Sequence, residues 1–346
     1  SMIEYNELIN KLMFTNVNDI VSLKLFLFVI FTFLLSLVID VILGELPGRV
    51  HPVVIMGSII NFFKDIFINI RNRLSGVLTV LCAGIVLCIL LFVIYFIFKI
   101  NIVLLFIVFT ILLSSTYSVN MLLQTAIDVK YDLNEDINKA RRSVSYLVSR
   151  DTDELTESFI VSAVIESLTE NITDSYVAPI LYFFIFALII LICPIENHLY
   201  FLLVVPMLYR LSNTMDAMLG YKTDECVHIG FFPAKIDDAL NYIPSRIAGM
   251  FVVISAFIIG LDGKNSFNVM KRDARKCPSP NSGYTMASTA GALNIQLIKK
   301  DTYILGDNNK EIVADDISKA VNLSKLSIVL FTITVIVLFT LVYVIL

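Results

Sequence analysis

Between Asn213 and Arg246 the chain gathers acids, amides and cations between two strongly apolar segments. At helical spacing Asn213, Asp216 and Gly220 share one face, as do Asp237 and Asn241, or Asp238 and Asn241. Lys222, Lys235 and Arg246 bracket them. Carboxylate and amide oxygens suit a hard divalent cation, and Lys and Arg neutralise phosphate, so the stretch suits a phosphate–metal pair. The same mixture fits a solvated loop between membrane helices. A second set lies upstream, where Glu166, Glu170 and Asp174 repeat at i, i+4 and i+8 with Asn171 close by. That spacing puts three carboxylates on one helical face, either a solvated stripe or a metal–phosphate platform. Like charges so placed destabilise a bare helix by roughly 0.2–0.5 kcal/mol per pair, which a bound cation offsets.

These groups must be positioned by membrane helices. The 346-residue chain is 57% hydrophobic and only 16% charged, with a mean hydropathy of +0.82, far more apolar than a soluble domain. A net charge of -4 gives no argument for nucleic acid, and the five cysteines lack the C-x-x-C spacing of a zinc or redox site. Ser1 ahead of Met2 reads as a cleavage remnant, and no signal-peptide pattern follows it. Residues 2–20 read as an amphipathic helix on the bilayer surface. The apolar runs 22–43, 76–98, 102–123, 177–193, 199–211 and 326–346 are the expected spans. At fifteen residues, 247–261 reaches only about 22 Å and is expected to be re-entrant or buried.

Asp40, near the end of the first span, is either interfacial or functional. Gly and Pro in 44–57 then break the chain and bring Arg49 and His51 to the membrane edge. Residues 124–175 have room for two or three extramembrane helices, one ending near Arg150 and the next starting at Thr152. The loops 44–75, 124–175, 212–246 and 262–325 are rich in Lys and Arg, ten of them in the last, whereas Lys99 stands alone in the 99–101 turn. The positive-inside tendency places all four on the cytoplasmic side, with both termini outside. The expected architecture is an all-α polytopic integral membrane protein of one domain, 1–346, with about six spans. Its loops 124–175, 212–246 and 262–325 form the active site, on the cytoplasmic face of the cell membrane.

Seven blocks sit between the apolar runs: D-x-x-L-G-x-x-P (Asp40, Leu43, Gly44, Pro47), HPVVIMG (51–57), SRDTDEL (149–155), IESLTENITDSYVAP (165–179), NTMDAMLGYK (213–222), AKIDDALNYIPSR (234–246) and SPNSGYTMASTAGAL (279–293). In content and order they resemble the cobalamin-biosynthesis CobD/CbiB family, the adenosylcobinamide-phosphate synthases. Ser58, Ser149 and Thr285 depart from that family's usual residues, the first of them at the pocket edge around His51.

The resemblance implies a membrane enzyme that uses ATP to join adenosylcobyric acid to (R)-1-amino-2-propanol phosphate, or to aminopropanol, through an amide. Mg2+ would sit on the phosphate oxygens. On the matched positions we expect Glu166, Glu170, Asp174 and Asp216 as metal ligands or metal–water partners, and Asp216, Lys235, Asp237 and Asp238 at the chemistry. Arg150, Lys222, Lys235 and Arg246 would hold phosphates, and Asn171, Asn213, Asn241 and Asn281 would orient carboxylate or amide groups. Ser279, Asn281 and Gly283 belong to a loop whose N–H groups could contact phosphate, although no G-x-x-x-x-G-K-[ST] loop is present. His51 is the candidate base. A corrinoid or anion transporter and a non-enzymatic sensor or scaffold are the alternatives. Charge-free centres of the apolar runs count against transport, and acids and cations clustered in three loops exceed what a scaffold needs. Expected partners are the two substrates, the lipid bilayer and other cobamide-biosynthesis membrane enzymes.

Overall fold

A computed structural model describes residues 17–44, 46–48, 50–220 and 226–346. Arg49, Lys222 and most of the surface helix expected over 2–20 lie outside the described residues. The first half comprises α1 (Val17–Leu43), α2 (Pro52–Phe67), α3 (Leu74–Phe98), α4 (Ile102–Ser114), α5 (Val119–Glu135) and α6 (Ile137–Ser145). Then come α7 (Glu157–Ile172), a π-helical turn (Thr173–Val177), α8 (Ala178–Ile192), α9 (His198–Leu219), α10 (Phe231–Leu240), α11 (Tyr242–Ile258) and α12 (Gly263–Asp273). After a 3-10 turn (Ala274–Lys276), α13 (Gly283–Leu293) leads into a hairpin, β1 (Gln296–Lys299) and β2 (Tyr303–Gly306), and α14 (Asp315–Ile345) closes the chain. The hairpin, antiparallel with Lys299 opposite Tyr303, is a local exception to the all-α expectation.

Among the described residues five stretches are long and apolar enough to cross a membrane: Val21–Leu43, Leu74–Phe98, Ile102–Glu135, Glu157–Ile192 and Asp315–Ile345. The expected span 199–211 lies in α9, which falls outside that set because Arg210, Asn213 and Asp216 load its second half. It nevertheless runs the depth of the bundle, from Asn197, whose side chain accepts from the Tyr95 hydroxyl at 3.3 Å, back along α8. α10 and α11 pass the same test only as a pair, bent by 47°. Both ends of α11 meet one unit: Ser245 reaches Asn281 (3.5 Å) just ahead of α13, and beyond α11 the Asp262 N–H donates to Ala292 O (3.3 Å). α11 thus packs lengthwise beside α13, and its bend from α10 is that of a broken span or of a re-entrant segment.

Three boundaries differ from the sequence reading. The acidic segment 157–172 is no separate extramembrane helix, since α7, the π turn and α8 run on continuously from Glu157 to Ile192. Pro179 does not end it. A proline at that position offers no N–H to the carbonyl four residues back, Ser175, and that carbonyl instead accepts the Ser118 N–H at 3.0 Å. The helix expected from Thr152 begins at Glu157. The last helix starts at Asp315 rather than 326, its charged first turns satisfied by Lys130 on Asp315 (3.2 Å) and Lys310 on Asp316 (2.7 Å).

Buried apolar side chains form a bundle core, a satellite and a small third cluster of Val253, Val269, Met270, Ala274 and Ala287. Phe33, Phe109, Phe183, Phe184 and Phe331 fill the first, edge-to-face in several pairs. The second packs α5, α6 and α7 against α13, the hairpin and the start of α14, so that half of α7 is a scaffold for the extramembrane part. Asp40 settles as a structural residue. Its carboxylate accepts the Val119 and Asn120 N–H groups, each at 3.1 Å, and so caps the free end of α5 from another helix.

Candidate active site

Where α7, α9, α10 and the 277–282 loop meet, they enclose a polar cavity of about 140 Å³. Its walls carry five carboxylates, Glu170, Asp174, Asp216, Asp237 and Asp238, with Thr173, Asn241, Ser279, Asn281 and Ser282 between them. The i, i+4 spacing of the sequence delivers Glu170 and Asp174, and the π turn begins between them. From α9 comes Asp216, from the last turn of α10 the two neighbouring aspartates.

Two asparagines hold the acids in place. Asn213 receives a hydrogen bond from Arg210 on its oxygen (3.3 Å) and donates its nitrogen toward Asp174 (3.3 Å) and Asp237 (3.4 Å). Asn241 receives one from the Tyr209 hydroxyl (2.8 Å) and donates to Asp237 (3.0 Å). Each amide is thus oriented by a donor behind it and presents N–H to carboxylate. Of the five acids only Asp238 is in an ion pair with a described residue, Lys235 at 3.1 Å. On the opposite wall Ser279 Oγ accepts the N–H groups of Asn281 (3.2 Å) and Ser282 (3.3 Å), and Asn281 donates to Asp238 O (2.8 Å).

The expected residues sort into three groups. Glu170, Asp174, Asp216, Asp237, Asp238, Asn241, Ser279 and Asn281 line the cavity, Asn213 bridges two of its acids, and Lys235 pairs with Asp238 without lining it. Glu166, Arg150, His51, Asn171, Arg246 and Gly283 are used elsewhere. Buried Glu166 is matched by Arg150, by Ser162 (2.6 Å) and by the Tyr303 hydroxyl (2.7 Å), so its oxygens face donors rather than the cavity. His51 caps α2, with Nδ1 accepting from Val53 N–H at 3.2 Å, and Asn171 donates to Ser167 O (2.9 Å). Arg246 lies between the rings of Tyr242 (3.4 Å) and Tyr284 (4.3 Å) and donates to Asn281 (3.2 Å), supporting the loop from outside. Gly283 lets α13 start against Ala274 O, where a Cβ would come within 1.9 Å of that oxygen. The third group is Lys222, outside the described residues. Arg210, Tyr209, Thr173 and Ser282 were missed. Arg210 had a signal, the lone charge in the apolar run 199–211.

The donor set is all oxygen and mostly anionic, the chemistry that holds a hard divalent ion. Among the described residues no three carboxylate, His or Cys side chains converge as a ready-made cage. Mg2+ uses one or two carboxylates plus water and substrate phosphates, so the set fits that ion without such a cage.

A sequence profile for the CobD/CbiB protein family matches residues 33–324, most of the chain. The chain belongs to that family. Among curated relatives, the probable cobalamin biosynthesis protein CobD of Methanothermobacter thermautotrophicus is 43% identical over 301 residues, covering 86% of this chain and 94% of its own. The protein of the same name from Methanococcus aeolicus is 39% identical, with 90% and 96% covered, and the cobalamin biosynthesis protein CobD of Dehalococcoides mccartyi is 32% identical, with 84% and 91% covered. No solved structure shows a significant match. The match to the CobD/CbiB profile spans every element that lines the cavity, α7, α9, α10 and the 277–282 loop.

Proposed function

We propose that this family member is an ATP-dependent amide ligase that joins the propionate carboxylate of adenosylcobyric acid to (R)-1-amino-2-propanol phosphate, giving adenosylcobinamide phosphate, or to aminopropanol, giving adenosylcobinamide. The observation that supports this most directly is the five-carboxylate cavity, built from three helices and a loop that are far apart in sequence. A carboxylate is a poor acyl donor. Attack of its oxygen on the γ-phosphorus of ATP, with loss of ADP, makes an acyl phosphate; the amine nitrogen then forms the C–N bond as inorganic phosphate leaves. When bound, Mg2+ would draw charge from the phosphoryl oxygens, with Glu170 and Asp174 as its protein ligands.

One ammonium proton has to leave before or during amide formation. His51 is occupied as a helix cap and does not line the cavity, so the role passes to a cavity acid. Asp237 is engaged by two amides; Asp216 is half-buried, lines the cavity and has no ion-pair partner among the described residues, which favours it as the base. The Lys- and Arg-rich loops support a cytoplasmic site, where ATP is available.

The test is amide formation by purified, detergent-solubilised protein given ATP, Mg2+, adenosylcobyric acid and aminopropanol phosphate, beside Asp216→Asn. Wild-type product is expected, with kcat lowered about 10²–10⁴-fold in a folded variant. No product and intact ATP from well-folded wild type would overturn the reading in favour of transport or a scaffold.

A further inference from the structure

The cavity is strongly anionic, and its one described ion-paired cation, Lys235, is committed to Asp238 at the rim. A phosphoryl group entering it needs positive charge that is not already spent. The hairpin supplies a candidate. It is fastened to α7 at two points, Ile298 N–H donating to Ser162 Oγ (2.9 Å) and the Tyr303 hydroxyl to Glu166 (2.7 Å), and to the turn ahead of α7, where Arg150 donates to Ile298 O (3.4 Å).

Residues directly opposed in an antiparallel ladder project to the same side, and Lys299 is paired with Tyr303. Lys299 therefore projects on the side from which Tyr303 reaches Glu166, and Glu170 lies one helical turn further along α7. Glu170 lines the cavity. Lys299 is half-buried, while its neighbour Lys300 is exposed. Among the described residues the Lys299 ammonium has neither a hydrogen bond nor an ion pair within 4.0 Å, and it is the backbone carbonyl that accepts the Thr302 N–H at 3.0 Å. A partly buried ammonium without a partner loses hydration and gains nothing in return, unless a ligand completes it. Arg150, committed to Glu166, stands behind it with its Nε buried and unmatched.

We propose that Lys299 is a phosphoryl-binding residue at the hairpin edge of the acid cavity. The bearer of the phosphoryl group rests on the ligase reading: it is ATP or the phosphorylated amine.

Lys299→Met and Lys299→Arg are compared with wild type and with Lys300→Met as a control. Loss of one charge-assisted contact raises KM for the phosphate bearer about tenfold or more, with the KM for adenosylcobyric acid and the melting temperature unchanged, and arginine restores most of it. If ATP is the bearer, its KM rises whichever amine is used. If the amine is the bearer, the rise is seen with aminopropanol phosphate and not with aminopropanol. Values for both within twofold of the Lys300→Met control overturn the proposal. Should wild type form no amide, the ligase reading fails, and equilibrium binding of ATP and of aminopropanol phosphate decides the lysine: a weakened Kd in Lys299→Met supports it, and equal values or no binding to wild type overturn it.

Discussion

Glu166 and Arg150 carry types and spacing that suit a metal ligand and a phosphate clamp, and in the fold they satisfy each other. Helical periodicity showed which face Glu166 shares with Glu170. It carried no information on the 146–156 turn that folds Arg150 back onto that face, because a contact across sixteen positions is set by tertiary packing. Removing the arginine leaves a 2% exposed carboxylate without its countercharge. Arg150→Ala is expected to cost about 3 kcal/mol in a detergent melt, and Arg150→Ala with Glu166→Gln to recover much of it. If the double variant is no more stable than the single, the pair is not the reason Arg150 matters. Asp40 follows the same logic, its intrahelical position legible and its cross-helix cap not. Asp40→Ala should cost about 1–2 kcal/mol by melting, with Asn retaining part of the cap.

At the scale of elements, the apolar runs were legible because burial in lipid demands unbroken hydrophobic length. What lay beyond them was less so. The 262–325 region read only as polar, since its order comes from ionic and backbone links between pieces. Asp273, at the end of α12 and fully buried, is the clearest of these. Burial alone would raise its pKa, but hydrogen bonds from Arg272 and Lys276 and from the Gly306 N–H bring it down to about 2. A carboxyl lowered from about 3.9 in the unfolded chain contributes stability that is complete above that value and is lost as pH falls through the folded one. Melting temperature should therefore drop between about pH 4 and pH 2. Asp273→Asn should be less stable near neutrality by about 1–3 kcal/mol and show a smaller acid drop. An unchanged acid profile in the variant would remove Asp273 from the explanation.

The π turn is a second element-scale device. Thr173–Val177 is widened where Pro179 withholds a donor from Ser175, and that widening lies beside Glu170 and within one turn holds Asp174. Pro179→Ala restores the donor and lets the turn relax to an α-helix, competing with the Ser118 N–H for Ser175 O. Stability should hold or rise slightly, while the rate of amide formation falls about tenfold as Asp174 shifts against Asn213, on the ligase reading. Equal rates in the two proteins would show that the cavity does not depend on this turn.

Taken whole, the molecule has two ends of different chemistry. At one, the Tyr95–Asn197 contact joins the 99–101 and 193–197 turns, and the start of α1 meets the end of α14, Phe26 stacking on Tyr343 at 4.3 Å. Val21, Ile192, Pro194, His198 and Leu346 line one cavity there, so both pairs of features share that end. At the other end lie the acid cavity, the hairpin and nearly all the Lys and Arg of the described residues. Charge bias in the sequence was enough to separate these ends, though not to bring four remote segments around one cavity. The arrangement makes a sharp prediction. In a background with the five native cysteines replaced, single cysteines at Ile100 and Glu196 should react with a membrane-impermeant maleimide from outside intact cells. Cysteines at exposed Tyr146 and Lys300 should react only in inside-out vesicles. Labelling of Ile100 and Lys300 from the same side would break the two-ended arrangement. The reverse labelling of all four would keep it and put the acid cavity on the outer face, away from ATP.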